Sequence, residues 1–205
     1  VVLKGNTILG NKFASKNRTG SSFYLSKAEL NQFGDIDINR VLDRIPGVTV
    51  YEEDGFGLRP NISLRGTSPE RSSKITIMED GILAAPAPYS ASSAYYFPSV
   101  ARMSAVEVLK GSSQIQYGPN TTGGVINFVS SEISDSLKID VENSYGSFKS
   151  GKLVSRISNS NETLGYLLEY LNFNSDGFKT IEGEGNTGFD INEFLFKFKI
   201  DFFKK

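Results

Sequence analysis

The sequence has no histidine and no cysteine. Without an imidazole it cannot build a Ser-His-Asp triad, a histidine zinc site or a histidine-bound haem. Without a thiol it has no disulfide, no thiolate metal centre and no cysteine nucleophile. An excess of charge of either sign is also missing: 22 basic and 23 acidic side chains leave a net charge of −1. That balance argues against a nucleic-acid partner held through phosphates. No run approaches the 18 or so apolar residues of a membrane-spanning helix. No basic-then-apolar leader opens the chain at Val1, so the expectation is a protein that is not exported or the processed part of a longer product. What remains is a folded composition. Hydrophobic residues make up 39% and charged residues 22% of 205, enough for a real core in one large domain, or one domain and part of another. Tryptophan is absent, yet 15 Phe and 9 Tyr accompany 20 Gly, which suits a β-rich protein with many turns.

Residues 1–130 read as a mixed α+β unit with long loops. The first 25 residues suggest a strand start at Val1-Val2-Leu3 and then irregular chain. Ser26-Lys27-Ala28-Glu29 has the spacing of a capping box, predicting a helix start. A second helix is expected after Asp37, because Ile38, Val41, Leu42 and Ile45 share one helical face, and Pro46-Gly47 ends it. Short β segments follow at 48–51, 62–65, 75–78, 82–84, 106–110 and 125–129. Asp80-Gly81 predicts a tight hairpin turn.

The character changes near Ser130. From there the period is that of strands, at about 137–145, 152–158, 164–174 and 194–203. In the last, Phe194, Phe196, Phe198, Ile200 and Phe202 share one face, while Leu195, Lys197, Lys199 and Asp201 share the other. The apolar face could meet a second sheet in a soluble sandwich or lipid in an outer-membrane barrel, and period alone leaves both open. Four strands cannot close around a domain of some 130 residues, which takes on the order of 22. On the barrel reading, the chain is expected to be part of a larger product.

Six stretches, in order, resemble the plug domain of TonB-dependent outer-membrane receptors. They are 41–48 (VLDRIPGV), 61–66 (NISLRG), 77–82 (IMEDGI), 106–111 (VEVLKG), 117–119 (YGP) and 123–129 (GGVINFV). The resemblance covers most of residues 1–130, and Tyr145-Gly146-Ser147-Phe148 resembles a turn between the family's first barrel strands. The implied fold is an α+β plug over 1–131, followed over 132–205 by antiparallel strands of an incomplete transmembrane β-barrel. The ferric dicitrate branch is the most similar in look, through Arg65-Gly66-Thr67-Ser68-Pro69, Arg71, Asp80-Gly81-Ile82 and Ala87-Pro88-Tyr89. The resemblance implies an importer in the outer membrane of a Gram-negative bacterium. It would bind a ferric chelate, contact outer-membrane lipid and be driven by a TonB-type inner-membrane energy transducer pulling on a short N-terminal box. That box would lie before or at Val1, and no complete one is seen in the sequence. Iron would travel only within the chelate, with no cofactor of the protein's own.

The same resemblance points to residues. Arg65 is expected to lock the plug to carboxylates of the barrel wall, with Lys110 at the second such position, where the family usually carries Arg. A lysine lacks the planar fork of a guanidinium, so a looser or differently wired lock is expected, with Glu107 pairing in the same cluster. Substrate candidates lie in the loops 54–60, 67–73 and 85–98: Arg59, Arg71, Tyr89, Tyr95 and Tyr96, with Gln116 and Tyr117 beyond. Arginine and tyrosine can meet an anionic or catecholate chelate through charge-assisted hydrogen bonds and ring contacts.

Two further motifs fail on context. Gly183 to Gly188 matches G-x-G-x-x-G, but no helix is expected after it and two Glu side chains would repel phosphate. Asp35 to Asn39 opens like a calcium loop, but Arg40 stands where glycine is required and Pro46 where glutamate is. No enzyme is expected. The rival readings are an importer of a non-iron nutrient such as cobalamin, a glycan or a peptide, and a soluble secreted β-rich binding domain.

Overall fold

The computed structural model describes residues 6–17, 20–32, 37–84, 96–111, 116–118, 121–180, 182 and 185–201. The chain divides into two compact units, Val1–Ser131 and Glu132–Lys205. In the first, helix α1 (Lys12–Asn17), strand β1 (Ser21–Ser26) and helices α2 (Lys27–Asn31) and α3 (Ile38–Asp43) precede β2 (Val48–Tyr51) and β3 (Asn61–Leu64). Strands β4 (Ile75–Glu79), β5 (Ile82–Leu83), β6 (Met103–Lys110) and β7 (Gly124–Ser130) complete it. A five-stranded sheet runs in the order β1-β6-β7-β4-β5, and β2 and β3 form a separate pair. All pairings are antiparallel except that of β4 with β7.

Local signals explain several of these elements. The capping box at Ser26 forms in full, with Ser26 accepting from the Glu29 N–H and Glu29 reaching back. Lys12 beside it, together with the Ser26 backbone and hydroxyl, holds the Glu29 carboxyl down at about 2. Asp37 caps α3 by accepting from the Asn39 N–H. The apolar face of α3 (Ile38, Val41 and Leu42, with Ile45 beyond it) is buried in one cluster with Ile62, Leu64, Val106, Val108, Ile126 and Phe128. The ring of Phe128 meets Phe97 edge-on, 5.3 Å between centroids. The β4–β5 hairpin turns through Asp80 and Gly81, both at positive φ, and pairs Glu79 with Ile82.

The first 25 residues depart from the expectation of irregular chain, for they hold α1 and β1. The β1 sequence, Ser-Ser-Phe-Tyr-Leu-Ser, buries only Leu25, so it lacks the alternation that marks a half-buried strand. It forms at the sheet edge because β6 offers it a partner, from Ser21 opposite Lys110 to Ser26 opposite Ala105. Val1 to Leu3 lie outside the described residues.

The second unit is a four-stranded antiparallel sheet, β8 (Lys138–Tyr145), β9 (Gly151–Ser160), β10 (Leu164–Ser175) and β11 (Phe189–Ile200), in the order β11-β10-β9-β8. Together the two units give the expected architecture, an α+β unit followed by antiparallel strands that do not close. One face of the sheet is an exposed apolar band. Ile139, Ile157, Leu168 and Phe196 stand in one cross-strand row, and Val141, Ser155, Tyr170 and Phe194 in the next. Phe194 is 81% exposed. Phe194 to Ile200 spans about 20 Å along the strand at about 3.3 Å per residue. The band stops at a row of amides. Asn172 donates to Asp190 and Asn192, Asn174 donates to Asn172, and the Tyr170 hydroxyl donates to Asn192 at 2.7 Å. On the other face Arg156 pairs with both Glu142 and Glu169. Strand β11 begins five residues before the apolar alternation does, because Phe189 to Glu193 are recruited by pairing with Leu171 to Ser175. Gly183 and Glu184 of the G-x-G-x-x-G motif lie outside the described residues, and strand β11 rather than a helix follows Gly188.

Gly124, where β7 begins, has φ +142, and a Cβ there would lie 2.1 Å from the Leu109 carbonyl oxygen. Backbone cannot swing aside as a side chain can. Gly124→Ala should therefore destabilise the β6–β7 end by about 1–3 kcal/mol, whereas Gly146→Ala, which meets nothing within 4 Å, should be near neutral. Denaturant titration of the intact protein with both substitutions checks this.

Candidate functional site

An open cleft of about 510 Å³ is lined by Tyr51, Glu53, Asn61, Ser68, Pro69, Glu70 and Arg71. It forms where the loop after β3 folds back on the start of that strand. Ser72 fastens the fold-back, since its hydroxyl donates to the Pro60 carbonyl at 2.9 Å and accepts from the Ile62 N–H at 3.0 Å. The Arg71 N–H donates to Asn61 Oδ1 at 2.7 Å, and Arg71 takes positive φ to do so. The guanidinium thus belongs to an anchored backbone. Asn61 is 6% exposed, and its amide Nδ2, buried at the cleft, makes no hydrogen bond. The lining therefore carries one arginine, Arg71, with two carboxylates, Glu53 and Glu70.

Arg59 is exposed on the neighbouring loop and is not among the cleft's lining. That loop is wound around Asp54, whose carboxylate accepts the N–H groups of Phe56, Gly57, Leu58 and Arg59. Gln116 is exposed. Tyr89 and Tyr95 lie outside the described residues.

Tyr96 is engaged within the protein. Its hydroxyl donates to Glu79 at 3.0 Å and accepts from Arg102 at 2.8 Å, while Arg102 makes a two-pronged contact with Glu79 at 2.5 and 3.0 Å. Arg102 is buried, and the bidentate carboxylate makes that burial tolerable. Sequence reasoning missed Glu79 and Arg102. They lie in different segments with no period linking them, and only the turn after Glu79 hinted at special geometry.

Arg65 and Lys110 come together. The Arg65 guanidinium lies across Gly111, where a Cβ would stand 2.9 Å from its nitrogen. Lys110 is buried, and its ammonium donates to the Pro46 carbonyl. Burial first, and the Arg65 guanidinium second, push the Lys110 ammonium below its ordinary value. Among the described residues neither cation is ion-paired with a carboxylate. Glu107 does not join them, contrary to expectation. Residues 107 and 110 fall on opposite faces of β6 because side chains alternate along a strand. Glu107 sits opposite Asn127 and accepts hydrogen bonds from its amide and from the N–H groups of Ile8, Leu9 and Gly10.

Comparison with known proteins adds to this geometry. Residues 15–125 match the TonB-dependent receptor plug domain family. Over 94% of its length the chain is similar to the ferric citrate transporter FecA in unliganded form, with a TM-score of 0.77 and 25% identity, covering 30% of that protein. It shares its fold with FyuA, the ferric yersiniabactin uptake receptor of Yersinia pestis (TM-score 0.63, 23% identity, 80% of this chain and 25% of that one). It also shares it with FpvA, the pyoverdine outer-membrane receptor of Pseudomonas aeruginosa (0.65, 23%, 80% and 23%). The chain thus spans less than a third of the length of each.

The buried Arg102 pairing makes a clear expectation. Glu79→Ala strands a buried guanidinium and should cost about 3–5 kcal/mol. Tyr96→Phe should cost about 1 kcal/mol and leave ligand affinity unchanged. Denaturation and ligand titration of the same variants separate the two.

Proposed function

This chain belongs to the TonB-dependent receptor family, and on that premise we propose that residues 1–131 are the plug and residues 132–205 the first barrel strands of an importer of ferric chelates in the outer membrane of a Gram-negative bacterium. The observation that carries the reading is the likeness to a ferric citrate transporter over nearly the whole chain. On this reading the apolar band of β8–β11 meets lipid, a barrel built mostly from residues outside this chain surrounds the plug, and an inner-membrane energy transducer moves the plug. Iron is cargo.

The chelate would sit at the cleft, with Arg71 as donor and Arg59 and Tyr89 contributing from adjoining loops. Each charge-assisted hydrogen bond in such a site is worth about 1.5–3 kcal/mol. Arg65 and Lys110 would face carboxylates of the barrel wall. That role suits two neighbouring cations that have no carboxylate partner among the described residues, one a planar fork and the other a point charge. A second reading has its own support. With Glu53 and Glu70 beside Arg71, the lining is formally negative, which fits a neutral or cationic non-iron nutrient better than a highly charged anion.

Titration of the full receptor with ferric citrate, a second ferric chelate and cobalamin discriminates between these. Arg71→Ala should weaken chelate binding roughly tenfold, about 1.4 kcal/mol. Tight cobalamin binding that is indifferent to Arg71 would replace the chelate reading with the second one. For the lock, Arg65→Ala should strand carboxylates in the barrel wall and raise leak of small solutes, read as planar-bilayer conductance. Unchanged conductance with normal expression counts against it.

A further inference from the structure

Of the residues lining the cleft, Asn61 is the one that is buried. It stands between the two walls. On one side it pairs with Tyr51 at the end of β2. On the other its Oδ1 accepts the Arg71 N–H at 2.7 Å. Its chain neighbours grip the same turn. The Pro60 carbonyl accepts the Ser72 hydroxyl at 2.9 Å, and the Ile62 N–H donates to that hydroxyl at 3.0 Å. Residues 60, 61 and 62 thus each make one hydrogen bond to residues 71 and 72.

What they hold is strained. Arg71 (φ 50, ψ 24) and Ser72 (φ 53) both lie in the left-handed region. Glycine takes that region freely, yet it stands at neither position. A larger residue persists there only where its surroundings over-determine it. Ser72 is accounted for by its hydroxyl, buried and bonded on both sides. Arg71 is exposed, so packing does not require its side chain, and a glycine would take the turn more easily. The strain is borne for a guanidinium on the cleft wall.

We infer that Asn61 is a positioning residue for Arg71. By holding the Arg71 N–H it keeps the strained turn in place, and so fixes the guanidinium on the cleft wall before a ligand arrives. It acts through Arg71 and not by touching the ligand. A group whose backbone is already ordered loses less freedom when it binds. The identity of the ligand rests on the chelate reading above, whereas the positioning of Arg71 does not.

A double-mutant cycle on the full receptor in detergent, titrated with ferric citrate, tests it. Asn61→Ala should weaken binding about fivefold where Arg71 is present, and less than about 1.5-fold in the Arg71→Ala background. An equal loss in both backgrounds makes Asn61 a support of the fold alone and overturns the positioning role. Hydrogen exchange read by mass spectrometry needs no ligand. Asn61→Ala should speed exchange at the Arg71 amide roughly tenfold, and Asn61→Asp, which keeps the acceptor, should bring it back to within about twofold. Unchanged exchange in Asn61→Ala also overturns the role. Asn61→Val, suited to a strand and lacking an acceptor, carries both measurements if Asn61→Ala does not accumulate. Should Arg71→Ala leave ferric citrate binding unchanged, the chelate reading is what fails, and exchange at the Arg71 amide decides the positioning by itself.

Discussion

The pairing of β6 with β7 places everything else in the first unit. Both strands are buried along nearly their whole length, so each needs cover on two faces. On one face α3 and the β2–β3 pair supply it through Ile38, Leu42, Ile62 and Leu64. On the other the cover is thinner and comes partly from residues 8 and 9. The outer strands then follow, with β1 on the free side of β6 and β4 running parallel on the free side of β7. The loops that carry the cleft are the connections this arrangement forces.

Burying charge in such a unit has been solved in three ways. Arg102 meets a bidentate carboxylate and a phenol. Glu107 meets no cation among the described residues and is held by backbone and amide dipoles. Lys110 has a carbonyl and, close by, a second cation. The first two are complete within the unit. The third is met, among the described residues, by a carbonyl and no carboxylate.

Where the determinants are local, the sequence was legible. The Ser26 box, the Asp37 cap, the Asp80-Gly81 turn and the alternation from Phe194 each depend on residues a few positions apart, and each formed. The six stretches resembling the plug family led to the family itself. Strand β1 was not legible, because what makes it a strand is β6, far along the chain. The position of Glu107 was within reach, since the period of two separates it from Lys110, but the three N–H groups that satisfy it come from a segment with no pattern of its own. Asn61 likewise reads as an ordinary strand residue until the loop after β3 folds back beside it.

The two units also differ in how far apart in sequence their partners lie, and this has a consequence for the order in which they form. In β8–β11 every pairing is between neighbours, such as Tyr145 with Gly151 or Gly165 with Ser160. In the first unit Ser21 must find Lys110, and Ile75 must find Gly124 across an intervening hairpin and strand. Closing such long loops costs entropy before any contact repays it, and folding slows as contacts become less local. The hairpins of residues 132–205 can therefore zip up early, while the mixed sheet is still searching for its register. A chain built this way makes its most local pairings first, and among the described pairings that of β1 with β6, which spans the most sequence, is the slowest to find its register.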